Sequence, residues 1–405
     1  LVDEPAKATI RARGCGSMFL SDTHLPQVLT ADEYTSAAQF RQEMERLILP
    51  AWQLVGTTAQ LPRDGDYFTF ELFDRPLIVW RCGETIRAFL NVCPHRFSRI
   101  TSRESGHTGE RLTCQYHGWE YDCEGQTRKI PDARSFRPMS KGALCLKTYR
   151  TETCGQLIFV NFDDDPPPLA EFLAPHYETT RRLFSEDRRM FERVDIEVAA
   201  NWKIKVENAM ESYHVDQIHP QTFGRIPEAE ACFHEFGDMW STFATVEETE
   251  NRGTQLLDNL IHRLARVEPD LEYKHFMFYP TFMYIKMRLF TWVETVIPLA
   301  PDRTRLYTIV FCHGGNAARW RSRLVTKLLA GWGRAFINKV AREDAGIIPE
   351  VQRGLAAAER PSTGVVSIRE ERCFHFQEYI RRSLPRDSEA GPTSDLTERL
   401  HHVQS

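Results

Sequence analysis

Two short cysteine/histidine pairs constrain this chain more than any other feature. Cys93-Pro94-His95 and Cys114-Gln115-Tyr116-His117 stand with residues 96–113 between them, and each pair is short enough to sit on one loop. Four such side chains on two loops form a metal clamp. Two thiolates with two imidazoles suit tetrahedral zinc, or a [2Fe–2S] cluster in which two histidines replace two cysteines on one iron. A structural zinc site usually draws two Cys from one short turn. Here each loop supplies one Cys and one His, as the mixed-ligand cluster requires, so iron–sulfur is the expectation.

Composition narrows the remaining classes. Ten cysteines in 405 residues are too sparse for a disulfide scaffold, so thiols or ligands are expected. Cys82 and Cys123, close in sequence to the pairs, are expected as small buried hydrophobes. With 42% hydrophobic and 26% charged residues the chain is globular, neither disordered nor fibrous. The net charge of −5 offers no basic footprint, so no nucleic-acid partner is expected. No apolar run approaches the roughly 18 residues of a membrane helix, and charges interrupt residues 1–20 where a signal core would lie. No membrane association and a cytoplasmic location follow as expectations, and Leu1 in place of Met reads as a trimmed or truncated start.

The chain divides by pattern. Residues 51–162 read as short strands and turns, a small β domain, and "DDDPPP" at 163–168 is a stretch that no helix interior or central strand accepts. Before it, residues 31–49 carry helical spacing with Asp32 and Glu33 near the start. After it, residues 171–191, 201–218 and 255–267 read as helix, residues 275–312 as strand with a turn at 300–303, and residues 319–358 as helix interrupted near Gly346 and Pro349. The expected division is 1–45, an N-terminal segment and helix; 46–165, the β domain; 166–385, an α+β domain; and 386–405, a frayed polar tail.

The pairs' surroundings, "NVCPHR" and "CQYHGWEYDCEGQ", resemble the cluster loops of Rieske non-haem iron oxygenases, Tyr116, Gly118 and Trp119 included. Two positions depart from the family: Phe97 stands where Gly is usual, and the spacer is a residue or so longer. A locally different loop tip is therefore expected. In "NWKIKVENAMESYHVDQIHP", Glu211 and His214 are at i, i+3 and share a helix face, while His219 is about 140° off that face. Pro220 disfavours helical backbone at His219, so the chain can turn there and return the ring toward His214. Two imidazoles and one carboxylate make the facial triad of non-haem Fe(II) oxygenases. The stretch resembles the family's pattern of acid, two residues, His, four residues, His, in which the acid is a bridge and the iron ligand is a later Asp. "REDAGIIPEVQRGL" resembles the segment carrying that Asp, which makes Asp344 the third ligand and Glu343 the alternative. Glu211 replaces the family's usual Asp at the bridge, as in members acting on quaternary amines.

The resemblance spans residues 45–385 and implies an α+β fold: an all-β Rieske [2Fe–2S] domain holding Cys93, His95, Cys114 and His117, and a catalytic domain whose antiparallel sheet and helices hold Fe(II) by His214, His219 and Asp344. It implies a terminal alpha subunit that uses O2 and electrons from NAD(P)H through a separate reductase, with or without a ferredoxin. It further implies a homotrimer, with or without a small second subunit, in which electrons cross between chains from His117 through Glu211 to His214. The substrate expected is an aromatic, hydroxylated or dihydroxylated, with a carboxylated one in view; a quaternary ammonium compound, oxidatively demethylated, is the second reading. A non-catalytic electron-transfer protein and a zinc ribbon are the non-enzyme alternatives. In one extended register Phe276, Phe278, Phe282, Tyr284, Phe290 and Trp292 share a face with Lys286 and Arg288, opposite Met277, Met283, Ile285, Met287 and Leu289. That face is a candidate pocket wall or an ordinary sheet surface, with Pro280 a possible break.

Overall fold

The computed structural model describes residues 19–140, 142–246, 259, 261–264, 270–312 and 320–385. The tail expected to fray lies outside them, as does most of the helix expected over 255–267, of which residues 261–264 are helical. Two seven-stranded antiparallel sheets dominate. The first runs in the order Gln53–Thr57, Leu157–Asn161, Thr148–Cys154, Thr85–Leu90, Arg75–Cys82, Asp66–Leu72, Ser105–His107. A three-stranded sheet of Leu112–Thr113, Glu120–Tyr121 and Thr127–Lys129 lies beside it. The second large sheet runs Arg189–Val198, Arg303–Cys312, Phe290–Ala300, Phe282–Lys286, Glu272–Phe278, Trp240–Val246, Phe233–Gly237. The mixed α+β fold class expected from the sequence is the one observed.

Alternation along Arg75–Cys82 shows how the sheets are joined. Leu77 and Val79 enter a core shared with Phe276, Phe278, Phe282 and Tyr284 of the second sheet, whereas Ile78 and Trp80 face Cys93, Cys114 and Trp119. Phe159 meets Phe282 edge to face at 5.0 Å across the shared core. Cys82 and Cys123 are not separate buried hydrophobes. They form a disulfide, with Cα atoms 5.9 Å apart, between the end of Arg75–Cys82 and the turn after Glu120–Tyr121. Their separation of 41 residues carries no motif, and only the approach of the two sheets pairs them.

The helices differ from the sequence expectation in definite ways. Residues 31–49 break at Ser36, whose extended backbone (ψ 127°) lets its hydroxyl accept the Gln39 N–H, ending Ala31–Thr35 and starting Ala37–Glu43. Residues 171–191 give only Leu169–Phe172 and Tyr177–Leu183, with Pro175 between, and Arg189–Val198 is a strand paired with Arg303–Cys312. The interruption expected at Gly346 and Pro349 does not occur: Trp320–Leu355 is one helix. Pro349 removes a single N–H, while buried Ile337, Val340, Ile348 and Gln352 hold the helix against the core. No helix among the described residues is long and apolar enough to cross a membrane.

The helix Trp202–Met210 is the structural hub. Asn201 caps it, accepting from Lys203 N at 3.1 Å and donating to the carbonyls of Tyr34 and Pro301. Within the first turn, Lys203 Nζ lies 2.6 and 2.8 Å from the carboxylate oxygens of Glu43, and Trp202 Nε1 donates to the same carboxylate at 2.8 Å. Both side chains are wholly buried, so removing either would leave the other buried without its partner. Breaking this pair by Glu43→Ala is expected to cost about 3–5 kcal/mol, read as a large fall in the denaturation midpoint. The apolar double variant Glu43→Leu/Lys203→Met should recover most of that loss.

Candidate metal centres and active-site cavity

The two Cys/His loops meet at one end of the first sheet. Cys93 and Cys114 are buried, and the Cys93 sulfur lies 3.0 Å from the Tyr121 hydroxyl. The His95 and His117 rings are 4.7 Å apart, and His95 stacks on Trp119 at 4.9 Å. Burial, then the neighbouring His117 and Arg96, hold His95 below its ordinary pKa, which favours the neutral ligating form. Burial raises the Cys93 thiol, a cost that a bound cation would offset. His95 Nδ1 is buried with no hydrogen-bond partner, a donor atom aimed at nothing in the protein. This set fits a mixed-ligand [2Fe–2S] cluster. Phe97 adopts positive φ (60°) and is 80% exposed, which accounts for the family's usual Gly at that point of the loop.

The second group forms where the hub helix ends. Glu211 is not inside a helix as expected. Its backbone is extended (φ −114°, ψ 162°), and the chain turns before the short helix Val215–Ile218. Its carboxylate accepts the Tyr213 and His214 N–H groups and contacts His214 Nδ1. Glu211 and His214 therefore meet through a capped turn, and His214 Nε2 is left facing away. His219 ends the short helix at φ −117°, ψ 35°, off the helical backbone as Pro220 requires. Its Nδ1 lies 2.7 Å from Glu343 and its Nε2 lies 3.0 Å from Asp344.

One ligand atom each from His214, His219 and Asp344 falls within 4.8 Å of the others, and among the described residues no further such trio is found. Glu343 sits behind His219 rather than in the trio, and Thr222 donates to it at 2.9 Å. Each histidine thus has a carboxylate on one ring nitrogen and the trio on the other, the orientation that prepares imidazole to bind a metal. Burial pushes the Asp344 carboxyl upward, but His219, Lys205 and His214 outweigh it and hold the group below its usual range, as a carboxylate. Burial opposes charge on His219 as well, and its two carboxylate neighbours outweigh that. Two nitrogens, one oxygen and an adjoining cavity fit a facial Fe(II) site with open positions.

That cavity holds about 1110 Å³ and opens beside the trio. An aromatic wall leads into it: Phe223 lies 5.3 Å from the His219 ring, Phe336 5.6 Å from Phe223, and Trp332 5.5 Å from Phe336. Trp332 is 45% exposed and stands at the mouth. Lys205, paired with Glu294 at 3.3 Å, also lines the cavity. Nothing in its sequence surroundings marks it as a wall residue.

The aromatic face expected over residues 276–292 does not exist as one face. Phe278 opposes Phe282 and Lys274 opposes Lys286, even against even, so parity is kept across the first hairpin. Phe282 then opposes Thr295, even against odd, and parity reverses across the second. Phe276, Phe278, Phe282 and Tyr284 consequently enter the shared core, and the cavity receives Met283, Ile285 and Met287 together with Phe290 and Trp292. Lys286 is engaged by Asp270 and Glu272, whereas Arg288 does line the cavity.

Comparisons with known proteins agree with this architecture. The family profile "Ring hydroxylating alpha subunit (catalytic domain)" matches residues 185–386, and "Rieske [2Fe-2S] domain" matches residues 51–150. The chain is 32% identical over 208 residues to the glycine betaine monooxygenase oxygenase subunit of Chromohalobacter salexigens, covering 51% of this chain and 45% of that protein. It is 39% identical over 143 residues to the biphenyl 2,3-dioxygenase subunit alpha of Rhodococcus jostii, covering 35% and 31%. The matched region thus spans about half the length of the first curated relatives or less. In structure it is similar to a quaternary ammonium Rieske monooxygenase crystallised with an inhibitor, with TM-score 0.74, 22% identity, and 92% and 99% of the chains covered, a likeness of fold.

The two groups predict separable metal losses. Cys93→Ala should abolish the red-brown colour of the cluster, seen in the visible spectrum. Asp344→Ala should keep that colour and lose only the remaining iron by metal analysis. Glu343→Gln should keep the colour and weaken that iron's binding by about 10–100-fold, measured by chelator competition.

Proposed function

The chain belongs to the Rieske non-haem iron oxygenase family, and from that premise we propose that it is the terminal oxygenase of a multicomponent monooxygenase acting on a quaternary ammonium compound. The observation that carries this reading is the aromatic wall running from His219 through Phe223 and Phe336 to Trp332. Ring faces attract a trimethylammonium group through their quadrupoles and need no hydrogen-bond donor from it. Relatives bearing this activity support the choice.

In this reading Cys93, His95, Cys114 and His117 hold the cluster, and His214, His219 and Asp344 hold Fe(II). The bound groups supply one-electron delivery and O2 activation. The protein's own residues do the rest. Glu343 and Glu211 orient the two imidazoles, the aromatic wall presents a substrate methyl beside His219, and buried Met283 and Ile285 on the cavity wall exclude water. The substrate carbon gains one oxygen atom of O2 while the other leaves as water with two electrons and two protons; an N-methyl so hydroxylated departs as formaldehyde. The electrons require a separate NAD(P)H-dependent reductase, with or without a ferredoxin. Glu211, contacting His214 Nδ1, is the proposed bridge for electrons from His117 of the partner subunit in a homotrimer.

A second reading, oxygenation of an aromatic ring, rests on the same wall, which would stack a flat substrate, and on the match to the biphenyl dioxygenase subunit. With reductase present, turnover of glycine betaine, choline or carnitine that consumes O2 mole for mole supports the first reading. A diol or phenol formed from biphenyl or benzoate, with no turnover of trimethylammonium compounds, supports the second. Under the first, Trp332→Ala should raise KM about tenfold with little change in kcat, and Trp332→Phe should recover most of it. Glu211→Gln should keep both metals and lose turnover.

A further inference from the structure

One polar pair on the cavity wall has no part in metal binding. Phe243, His275, Ile285 and Trp292 lie in one register row across four neighbouring strands, and all four line the cavity. His275 is 1% exposed, and neither of its ring nitrogens has a hydrogen-bond partner. Thr245 is two residues beyond Phe243, diagonal to His275 on the next strand. It lines the same cavity, 5% exposed, and its hydroxyl is also unpartnered. Diagonal neighbours on one sheet face stand about 7–8 Å apart, close enough for one small group to touch both side chains.

Buried polar groups in folded proteins are satisfied, so two adjoining orphans facing a cavity mark where a ligand completes them. Burial, then the charges of Arg372 and Lys205, keep His275 well below its ordinary pKa, so the ring is neutral and offers one N–H. The sign of the ligand follows from Arg372, since Lys205 is paired with Glu294. Arg372 is wholly buried, and its guanidinium donates to Met210 O, Ser241 Oγ and Ser241 O, with no carboxylate among these partners. Its positive charge acts on His275, so an anion beside that ring is favoured over a cation.

We propose that His275 and Thr245 form a carboxylate-binding subsite, the ligand's oxygens accepting the His275 N–H and the Thr245 O–H. Joined to the aromatic wall, the subsite selects a zwitterion, a trimethylammonium carboxylate. The cationic half of that substrate rests on the function proposed above, whereas the subsite stands on its own geometry.

Isothermal titration of the oxidised, metal-loaded enzyme without reductant tests this with two matched pairs. One pair is 4-(trimethylammonio)butanoate and pentyltrimethylammonium; the other is benzoate and isopropylbenzene. In the wild type the carboxylate of a pair should bind about 10–100-fold more tightly than its twin, the worth of charge-assisted hydrogen bonds. His275→Leu should abolish that preference without weakening the oxygen-free twin, His275→Gln should restore part of it, and Thr245→Val should reduce it several-fold. Thr245→Val is nearly isosteric and serves if His275→Leu fails to fold, retention of cluster colour being the control. Preference that survives Thr245→Val and the His275 variants, or is missing from the wild type in both pairs, overturns the subsite. A His275-dependent preference confined to benzoate, with neither trimethylammonium probe binding, upholds the subsite and rejects the quaternary ammonium reading.

Discussion

The turn at Glu211 is the point on which the catalytic half of the protein depends. Arg372 Nη1 donates to the last helical carbonyl, Met210 O, at 2.8 Å, and the next residue leaves the helix with extended backbone. The Glu211 carboxylate then satisfies the N–H groups of Tyr213 and His214, doing for the new turn what an N-cap does for a helix. Because that carboxylate also meets His214 Nδ1, backbone capping and ring orientation are one interaction. Had the helix continued, His214 and His219 would point about 140° apart.

Such a turn is only as well placed as the helix before it. Trp202–Met210 is held by partners from both ends of the chain: Glu43 grips Lys203, and Tyr34 and Gln377 donate to Glu207 at 2.6 and 3.0 Å. Burial pushes the Glu207 carboxyl up to about 7 even with those bonds, so this end of the helix is dry. Polar contacts in such surroundings are strong when complete and costly when broken. They fix one position of the helix more sharply than apolar packing would.

The second sheet separates two environments. One face supplies Phe276, Phe278, Phe282 and Tyr284 to the core shared with the first sheet; the other supplies His275, Met283 and Ile285 to the cavity. A single reversal of parity at the hairpin before Phe290 delivers Phe290 and Trp292 to the cavity side. The specificity-bearing surface is therefore set by turn length as much as by composition.

The candidate donors could be picked out without coordinates because metal chemistry demands particular side chains at short spacing. Cys93 with His95, Cys114 with His117, and His214 with His219 are local pairs, and the structure draws the first four into one group and the last two together with Asp344. The β character of residues 51–162 and the strands of 275–312 were legible for the same reason, since their period is local. Helix limits were not: Ser36 and Glu211 break helices by side-chain bonds that periodicity does not register. The tertiary structure alone decided that Asp344 joins the trio while Glu343 stands behind His219. It also decided that Cys82 pairs with Cys123, and that His275 faces a cavity in place of Lys286. The physical reason is common to all three: each depends on contacts between segments far apart in the chain, or on hairpin parity, and neither is encoded in any local period of the sequence.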